Sequence, residues 1–91
     1  MVASIDIGTL IVSTTDTCRG RPRITGKRFS VAQIAALTKE GLSPQQILDE
    51  YDFLTLAEVH AALAYYYINQ EQIEQDLLEE REEDRVQSRI E

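Results

Sequence analysis

Five cationic side chains fall within ten residues in the first third of this chain. They are Arg19, Arg21, Arg23, Lys27 and Arg28, and no acid lies between the first and the last of them. Arginine grips phosphate oxygens or a guanine edge with paired hydrogen bonds, so this pattern predicts contact with DNA. Phosphate contacts alone would provide affinity without sequence choice. The alternative is a solubilising segment whose cations pair with acids of other helices.

The basic segment is predicted to form a β-hairpin, with Gly26 as its turn residue. Residues 4–13 have the partial alternation and β-branched content of a short strand. An isolated strand leaves its peptide groups unpaired, so it must pair with Arg23–Thr25, with Arg28–Val31, or with its copy in a second subunit. The last arrangement would make the protein a dimer.

Two helix starts follow the hairpin, each with the residues of a capping box. Ser43 precedes Pro44 and has Gln46 three residues later, and Thr55 is followed in the same way by Glu58. An earlier helix is predicted from the spacing of Val31, Ile34, Leu37 and Thr38, and it should end at Gly41 in a left-handed conformation. Three helices with tight turns are therefore expected.

The turn between the second and third helices is only a few residues long, which suits the steep crossing of a helix-turn-helix unit. Such units dock on DNA or on proteins. The third helix is predicted to run from about Leu56 to Arg85, because no proline or glycine follows Thr55. At ~1.5 Å per residue it would exceed what a three-helix core can cover, so its second half should project or pack on something else.

These elements predict a mainly α protein: a small three-helix homeodomain-like or winged helix-turn-helix domain with a short N-terminal β-strand or hairpin and a long C-terminal helix. Residues 1–18 are expected to form the N-terminal strand and loop. Residues 19–69 should form the basic hairpin and helix-turn-helix core, and residues 70–91 an acidic helical extension.

Composition bounds the class of protein. The chain has 91 residues, 43% hydrophobic and 27% charged, which is typical of one globular domain. Because a chain this short can bury only a small core, we expect a homodimer. No window is apolar enough to span a membrane, the N-terminus lacks a signal-peptide pattern, and Cys18 has no disulfide partner. A cytoplasmic protein is therefore expected.

The charge is unevenly distributed, although the net charge is −7. Residues 1–30 carry five cations against two acids, whereas residues 71–91 carry three arginines against nine acids. An acidic protein can thus present a local phosphate-binding surface.

The segments Gly20–Val31, Glu40–Ile47 and Leu54–Tyr66 closely resemble the bacterial domain-of-unknown-function family 433. The resemblance covers roughly residues 17–76. It implies a helix-turn-helix antitoxin of a toxin–antitoxin pair, commonly encoded beside a PIN-like nuclease, and it brings no catalytic residues. Lys27 departs from the usual threonine of the family motif and adds a cation, and Ser30 replaces a frequent proline.

The third helix occupies the recognition-helix position, yet its opening residues from Thr55 to Ala62 include no arginine or lysine. Glu58 would face phosphates unfavourably. If DNA is bound, we therefore expect the basic hairpin to make the contacts.

The partner surface is expected on the end of the third helix and on the acidic extension. Tyr65, Tyr66 and Tyr67 point in different directions, so at least one should be core and the others could rim an interface. The acids would face a toxin's RNA-binding surface, apolar residues would enter a groove, and the arginines could reach a nuclease's metal pocket. The predicted partner-binding residues are Tyr66, Tyr67, Ile73, Leu77, Leu78, Arg81, Arg85 and Ile90. The alternative is a solvated tail.

Enzymatic residues are not predicted. The carboxylates cluster on an expected exposed helix, and one His and one Cys do not make a metal site. No catalytic residue, metal or cofactor is expected. Two functions stay open: an antitoxin that binds a PIN-like nuclease and possibly operator DNA, or a stand-alone protein-interaction module that does not bind DNA.

Overall fold

The computed structural model of the chain describes residues 7–14 and 17–90, with side chains for residues 8–14 and 17–83. Two short strands precede four helices: β1 (Ile11–Val12), β2 (Arg23–Ile24), α1 (Val31–Lys39), α2 (Pro44–Glu50), α3 (Leu56–Ile68) and α4 (Gln70–Ile90). Single 3-10 turns form at Ile7–Thr9 and Cys18–Gly20. The predicted class, mainly helical with a short N-terminal β element and a long C-terminal helix, is confirmed.

The β element is an intramolecular antiparallel pair. Ile11 lies opposite Ile24, and Val12 lies opposite Arg23. The peptide N–H of Ile24 donates to the carbonyl of Phe29 at 3.0 Å, which closes the basic segment into a hairpin around Gly26, whose φ is +80°. Of the pairings that were open, the structure uses the one with Arg23–Thr25. The first strand is shorter than predicted, and residues 4–6 lie outside the described residues.

Helix caps define the starts of α1, α2 and α3. The predicted capping boxes of Ser43 with Gln46 and of Thr55 with Glu58 are confirmed. Ser30 and Gln33 form a third box at the start of α1, which the sequence interpretation missed although the Ser-x-x-Gln spacing signals it. Gly41 follows α1 with φ +102°, as predicted.

The core lies between α1, α3 and α4, with β2 and α2 closing its edges. Aliphatic side chains from every one of these elements are fully buried there. They include Ile24, Val31, Ile34, Ile47, Val59 and Ile73. Phe29 adds an edge-to-face contact with Tyr51, with ring centroids 4.9 Å apart.

The expectation of one helix from about Leu56 to Arg85 is wrong. The helix breaks at Asn69, whose backbone has φ −124° and ψ 45° and whose side-chain amide donates to the carbonyl of Tyr65 at 3.1 Å. The chain reverses there, and α4 packs against α1. Ile73 and Leu77 lie one turn apart, and both are buried against the core, so the apolar stripe of α4 is satisfied within the chain.

Candidate functional site

The basic segment begins in a left-handed turn. Cys18, Arg19 and Gly20 have φ of 53°, 54° and 78°, and the N–H of Arg21 donates to the carbonyl of Cys18 at 3.0 Å. For the two residues with a Cβ this conformation costs about 1–2 kcal/mol each. The turn brings Arg19 and Arg21 to α4, where the structure supplies compensating contacts.

Arg21 is the centre of an ion-pair cluster with α4. Its side chain is buried, although it carries a charge. Nη1 donates to Glu83 Oε1 at 3.1 Å, and Nη2 donates to Glu83 Oε2 at 2.5 Å and to Glu79 Oε1 at 3.2 Å. Glu80 Oε2 is 3.9 Å from Nη1, and Arg19 Nε is 3.4 Å from Glu83. The carboxylates of Glu83 and Glu79 therefore accept from Arg21 the kind of charge-assisted hydrogen bonds that a phosphate group also accepts.

The charged groups of this cluster shift one another's pKa values. The hydrogen bond to Glu83 raises the pKa of Arg21, and the reciprocal bond lowers the pKa of Glu83. Burial raises the pKa of Glu80, whose carboxylate accepts a hydrogen bond from Ser30 Oγ at 2.8 Å. Burial also raises the pKa of Asp76, and its Oδ2 has no hydrogen-bond partner in the described part of the chain. The cluster thus holds more acid than Arg19 and Arg21 neutralise.

A cleft of about 240 Å³ opens beside this cluster, between Cys18, Arg21, Gln33, Glu80 and Glu83. Burial and the nearby Glu80 raise the pKa of the Cys18 thiol, so the thiolate is disfavoured there. The cleft offers room for an incoming group next to Arg21.

A second cleft, of about 250 Å³, lies at the hairpin turn and is lined by Thr17, Arg23, Gly26, Lys27 and Arg28. Arg23 is fixed there by bonds from Nη1 to the carbonyls of Ile24 and Lys27, at 3.3 and 3.2 Å, and from Nη2 to Thr14 Oγ1 at 3.0 Å. Its Nε is buried without a hydrogen-bond partner among the described residues. No acid lines this cleft, and three cations do, although Lys27 is paired with Glu58 outside the lining.

Lys27 joins the hairpin turn to α3 through an ion pair with Glu58, in which Nζ and Oε1 are 2.6 Å apart. Glu58 also accepts the capping hydrogen bond from the N–H of Thr55 at 2.9 Å. Burial alone would raise the pKa of Glu58, but the bonds from Lys27 and Thr55 lower it below its ordinary value. The ion pair places the acid-free cleft beside the first turns of α3, where Leu56 and His60 are exposed.

The five predicted DNA-binding cations thus have different environments. Arg19 and Arg21 pair with α4, Lys27 pairs with Glu58, and Arg23 binds backbone carbonyls. Arg28 is exposed and makes no ion pair with the described residues. The alternative that hairpin cations pair with acids of other helices therefore holds for three of them.

The predicted partner-binding residues also differ in their exposure to solvent. Tyr66, Ile73 and Leu77 are buried in the chain's own core, because α4 folds back on α1 instead of projecting. These three side chains are not exposed in this structure, and their role as partner contacts stays a prediction. Tyr67, Leu78 and Arg81 are exposed. The side chains of Arg85 and Ile90 lie outside the described residues.

The sequence interpretation missed the acids that bind Arg21. Glu79, Glu80 and Glu83 have the three- and four-residue spacing of one helix face, which is a signal for a shared carboxylate surface. The spacing does not tell which cation that face would meet.

Within the described ranges, no group of three His, Cys, Asp or Glu side chains could hold a metal ion. None of the helices described is both long and apolar enough to cross a membrane.

Comparison with known proteins gives two matches. The family model described as "Protein of unknown function (DUF433)" matches residues 11–66, which include both strands and α1 and α2 and extend to Tyr66 of α3. A crystal structure of a DUF433 member protein from Anabaena variabilis ATCC 29413 superposes with a TM-score of 0.73 at 31% sequence identity. That alignment covers 77% of this chain and 69% of the other. No curated protein matches the sequence.

Proposed function

Because this chain belongs to the DUF433 family of proteins of unknown function, its membership assigns no activity, and we propose a function from its charged surfaces. The protein acts as an antitoxin in the cytoplasm. As a homodimer it binds a PIN-like nuclease toxin through the outer face of α4, and it binds operator DNA through the basic hairpin.

The ion pair between Lys27 and Glu58 is the observation that carries the DNA-binding part of the proposal. It holds the acid-free cleft of Arg23, Lys27 and Arg28 beside α3, the helix in the recognition position. Phosphate contacts from the hairpin would then position the exposed first turns of α3 against a groove. Glu58 is partly neutralised by Lys27, which reduces its repulsion of phosphates.

The toxin-binding part is supported by large apolar and tyrosine side chains that are exposed and do not belong to the core. Leu78 is 59% exposed on α4, and Tyr67 and Ile68 are 61% and 79% exposed at the corner before it. Tyrosine and apolar side chains surrounded by charge are typical of protein interfaces. Acids of α4 would oppose the cations that a nuclease uses to hold RNA.

A stand-alone protein-interaction module is the second candidate. Two observations favour it: the first turns of α3 carry no cation, and Arg19, Arg21 and Lys27 are paired with acids of the chain itself. Such a module would use the same exposed apolar residues without DNA.

The DNA-binding part is tested by fluorescence anisotropy with labelled duplex from the region upstream of the gene. Affinity should fall steeply from about 50 to 200 mM salt, and Arg28→Ala should weaken binding and flatten that salt dependence. Leu78→Ala is the matched control and should leave DNA affinity unchanged. Binding that is absent at 50 mM salt, or that is indifferent to Arg28→Ala, would support the protein-interaction module.

The toxin-binding part is tested by co-expression with the nuclease encoded by an adjacent gene. Growth arrest by the nuclease should be relieved by the wild-type chain and by Arg28→Ala, but not by Leu78→Asp combined with Tyr67→Asp. Gel filtration with light scattering on the same samples measures the oligomeric state. If no adjacent gene encodes a PIN-like nuclease, or if the chain leaves its toxicity unchanged, the antitoxin proposal fails.

A further inference from the structure

Helix α4 is held to the rest of the protein in two different ways along its length. Its first two turns are anchored by the buried side chains of Ile73 and Leu77. Beyond Leu77, none of the described side chains, which reach to Glu83, is a buried hydrophobic residue. That segment, residues 78–83, is held by Arg21, Arg19 and Ser30 through carboxylates.

We infer that Arg19 and Arg21 form a second anion-binding site, which the carboxylates of α4 occupy as an internal ligand and which a phosphate polyanion takes over by displacing residues 78–83. The inference rests on the proposed function only where it names duplex DNA as the physiological polyanion. The core, including Ile73 and Leu77, stays folded during the exchange.

The charge balance makes this internal ligand replaceable. Four acids, Asp76, Glu79, Glu80 and Glu83, surround two arginines, and their mutual repulsion opposes the closed arrangement. The side chains of Glu79 and Glu83 are 50% and 33% exposed, so salt weakens their attraction to Arg21. Release returns the carboxylates to water, where charged groups are best solvated.

The geometry of Arg21 suits phosphate as the replacement. Both Nη atoms already donate to the two oxygens of Glu83, and a phosphate group accepts the same paired hydrogen bonds. The cleft beside Arg21 provides an approach. Arg21 also lies two residues before Arg23 of the acid-free cleft, so one polyanion could bind both places in succession.

Displacement of residues 78–83 links polyanion binding to toxin binding. Glu79 is already half exposed, but Glu80 and Glu83 become fully available to a toxin only after residues 78–83 leave Arg21 and Ser30. A toxin that captures these acids therefore frees the cations, and a polyanion that captures the cations frees the acids. By thermodynamic linkage, each partner strengthens binding of the other by the same factor.

The experiment compares two variants with the same change in net charge. The cluster variant is Glu79→Gln with Glu80→Gln and Glu83→Gln, and the control variant is Glu40→Gln with Glu50→Gln and Glu71→Gln, all exposed acids away from Arg21. Glutamine keeps helix propensity, and circular dichroism checks the fold. The probes are a labelled 20-base-pair duplex and inorganic tripolyphosphate. The cluster variant should bind both about fivefold or more tightly than the control variant, and Arg21→Gln should remove that gain.

Nuclear magnetic resonance of the wild-type chain provides the structural readout. Tripolyphosphate should shift the amide signals of residues 79–83 toward coil values and leave those of residues 70–77 in place. Equal gains in the cluster and control variants, or polyanion binding without a change at residues 79–83, would overturn the inference, as would failure of every variant to bind tripolyphosphate. If tripolyphosphate releases residues 79–83 but the duplex binds no variant, the anion site stands and the DNA-binding part of the proposed function fails.

Discussion

The hydroxyl of Tyr66 in α3 donates a 2.6 Å hydrogen bond to Glu74 Oε2 in α4, across the corner at Asn69. Lys39 at the end of α1 pairs with the same carboxylate at 2.5 Å. One glutamate thereby connects three helices. The hydrogen bond from Lys39 and then that from Tyr66 lower the pKa of Glu74, and the carboxylate raises the pKa of Tyr66. The direction of α4 is therefore set by polar groups as well as by the core.

Removal of the Tyr66 hydroxyl should loosen this corner. Tyr66→Phe is expected to lower the free energy of unfolding by about 1 kcal/mol at pH 7, the usual net value of one hydrogen bond. Because the pKa of Glu74 is lowered in the folded protein, its contribution is present above its unfolded pKa and is lost as pH falls through the folded pKa. Urea titrations at pH 7 and pH 3.5 should show the difference between wild type and variant shrinking at the lower pH. Tyr67→Phe is the control and should change neither value; an equal loss from both variants would contradict the assignment.

Truncation of α4 side chains should cost far more stability on the buried face of the helix than on its exposed face. Ile73→Ala leaves a cavity in the core and is expected to cost about 2–5 kcal/mol. Leu78→Ala, on the exposed face of the same helix, should stay within about 0.5 kcal/mol. Chemical denaturation measures both. Similar small losses would mean that α4 is not part of the core in solution.

Asp76 should be a source of instability, because its Oδ2 is buried without a hydrogen-bond partner among the described residues. Burial raises its folded pKa, so stability is fully present below the unfolded pKa and is lost as pH rises through the folded pKa. Asp76→Asn is therefore expected to raise the thermal midpoint by a few degrees at pH 7, with roughly 4–8 °C corresponding to 1 kcal/mol in a domain of this size. The gain should vanish at pH 3. Scanning calorimetry at the two pH values tests this, and a gain that is independent of pH would point to a cause other than ionisation.

Substitution of the two capping serines by alanine should lower the stability of the protein to different extents. Ser43→Ala removes an exposed cap and is expected to lower stability by about 1 kcal/mol. Ser30→Ala should cost more, because Ser30 caps α1 and also donates to Glu80 while fully buried. Thermal unfolding of the two variants gives the order directly. The reverse order would show that the bond from Ser30 to Glu80 contributes nothing.

Local features of the fold were predictable because their causes lie within a few residues of each other. The capping boxes of Ser43 and Thr55 and the left-handed Gly41 depend on neighbouring side chains and on backbone sterics. The break at Asn69 was missed, because the region lacks the glycine or proline that usually ends a helix. An asparagine that bonds its preceding turn is a weaker signal.

The sequence predicted the charged residues of the candidate site but not which of them pair. The sequence alone determined that ten residues carry five cations and that an acidic helix follows at the other end of the chain. Which cation meets which acid was decided by tertiary structure, since Arg21 and Glu83 are 62 residues apart and become neighbours only when α4 reverses and buries Ile73 and Leu77 against the core. Charge attraction in water is weak and nonspecific beyond about 10 Å, whereas burial of an apolar stripe selects one orientation of a helix. Packing of the hydrophobic core therefore determines which charged side chains of this protein form ion pairs.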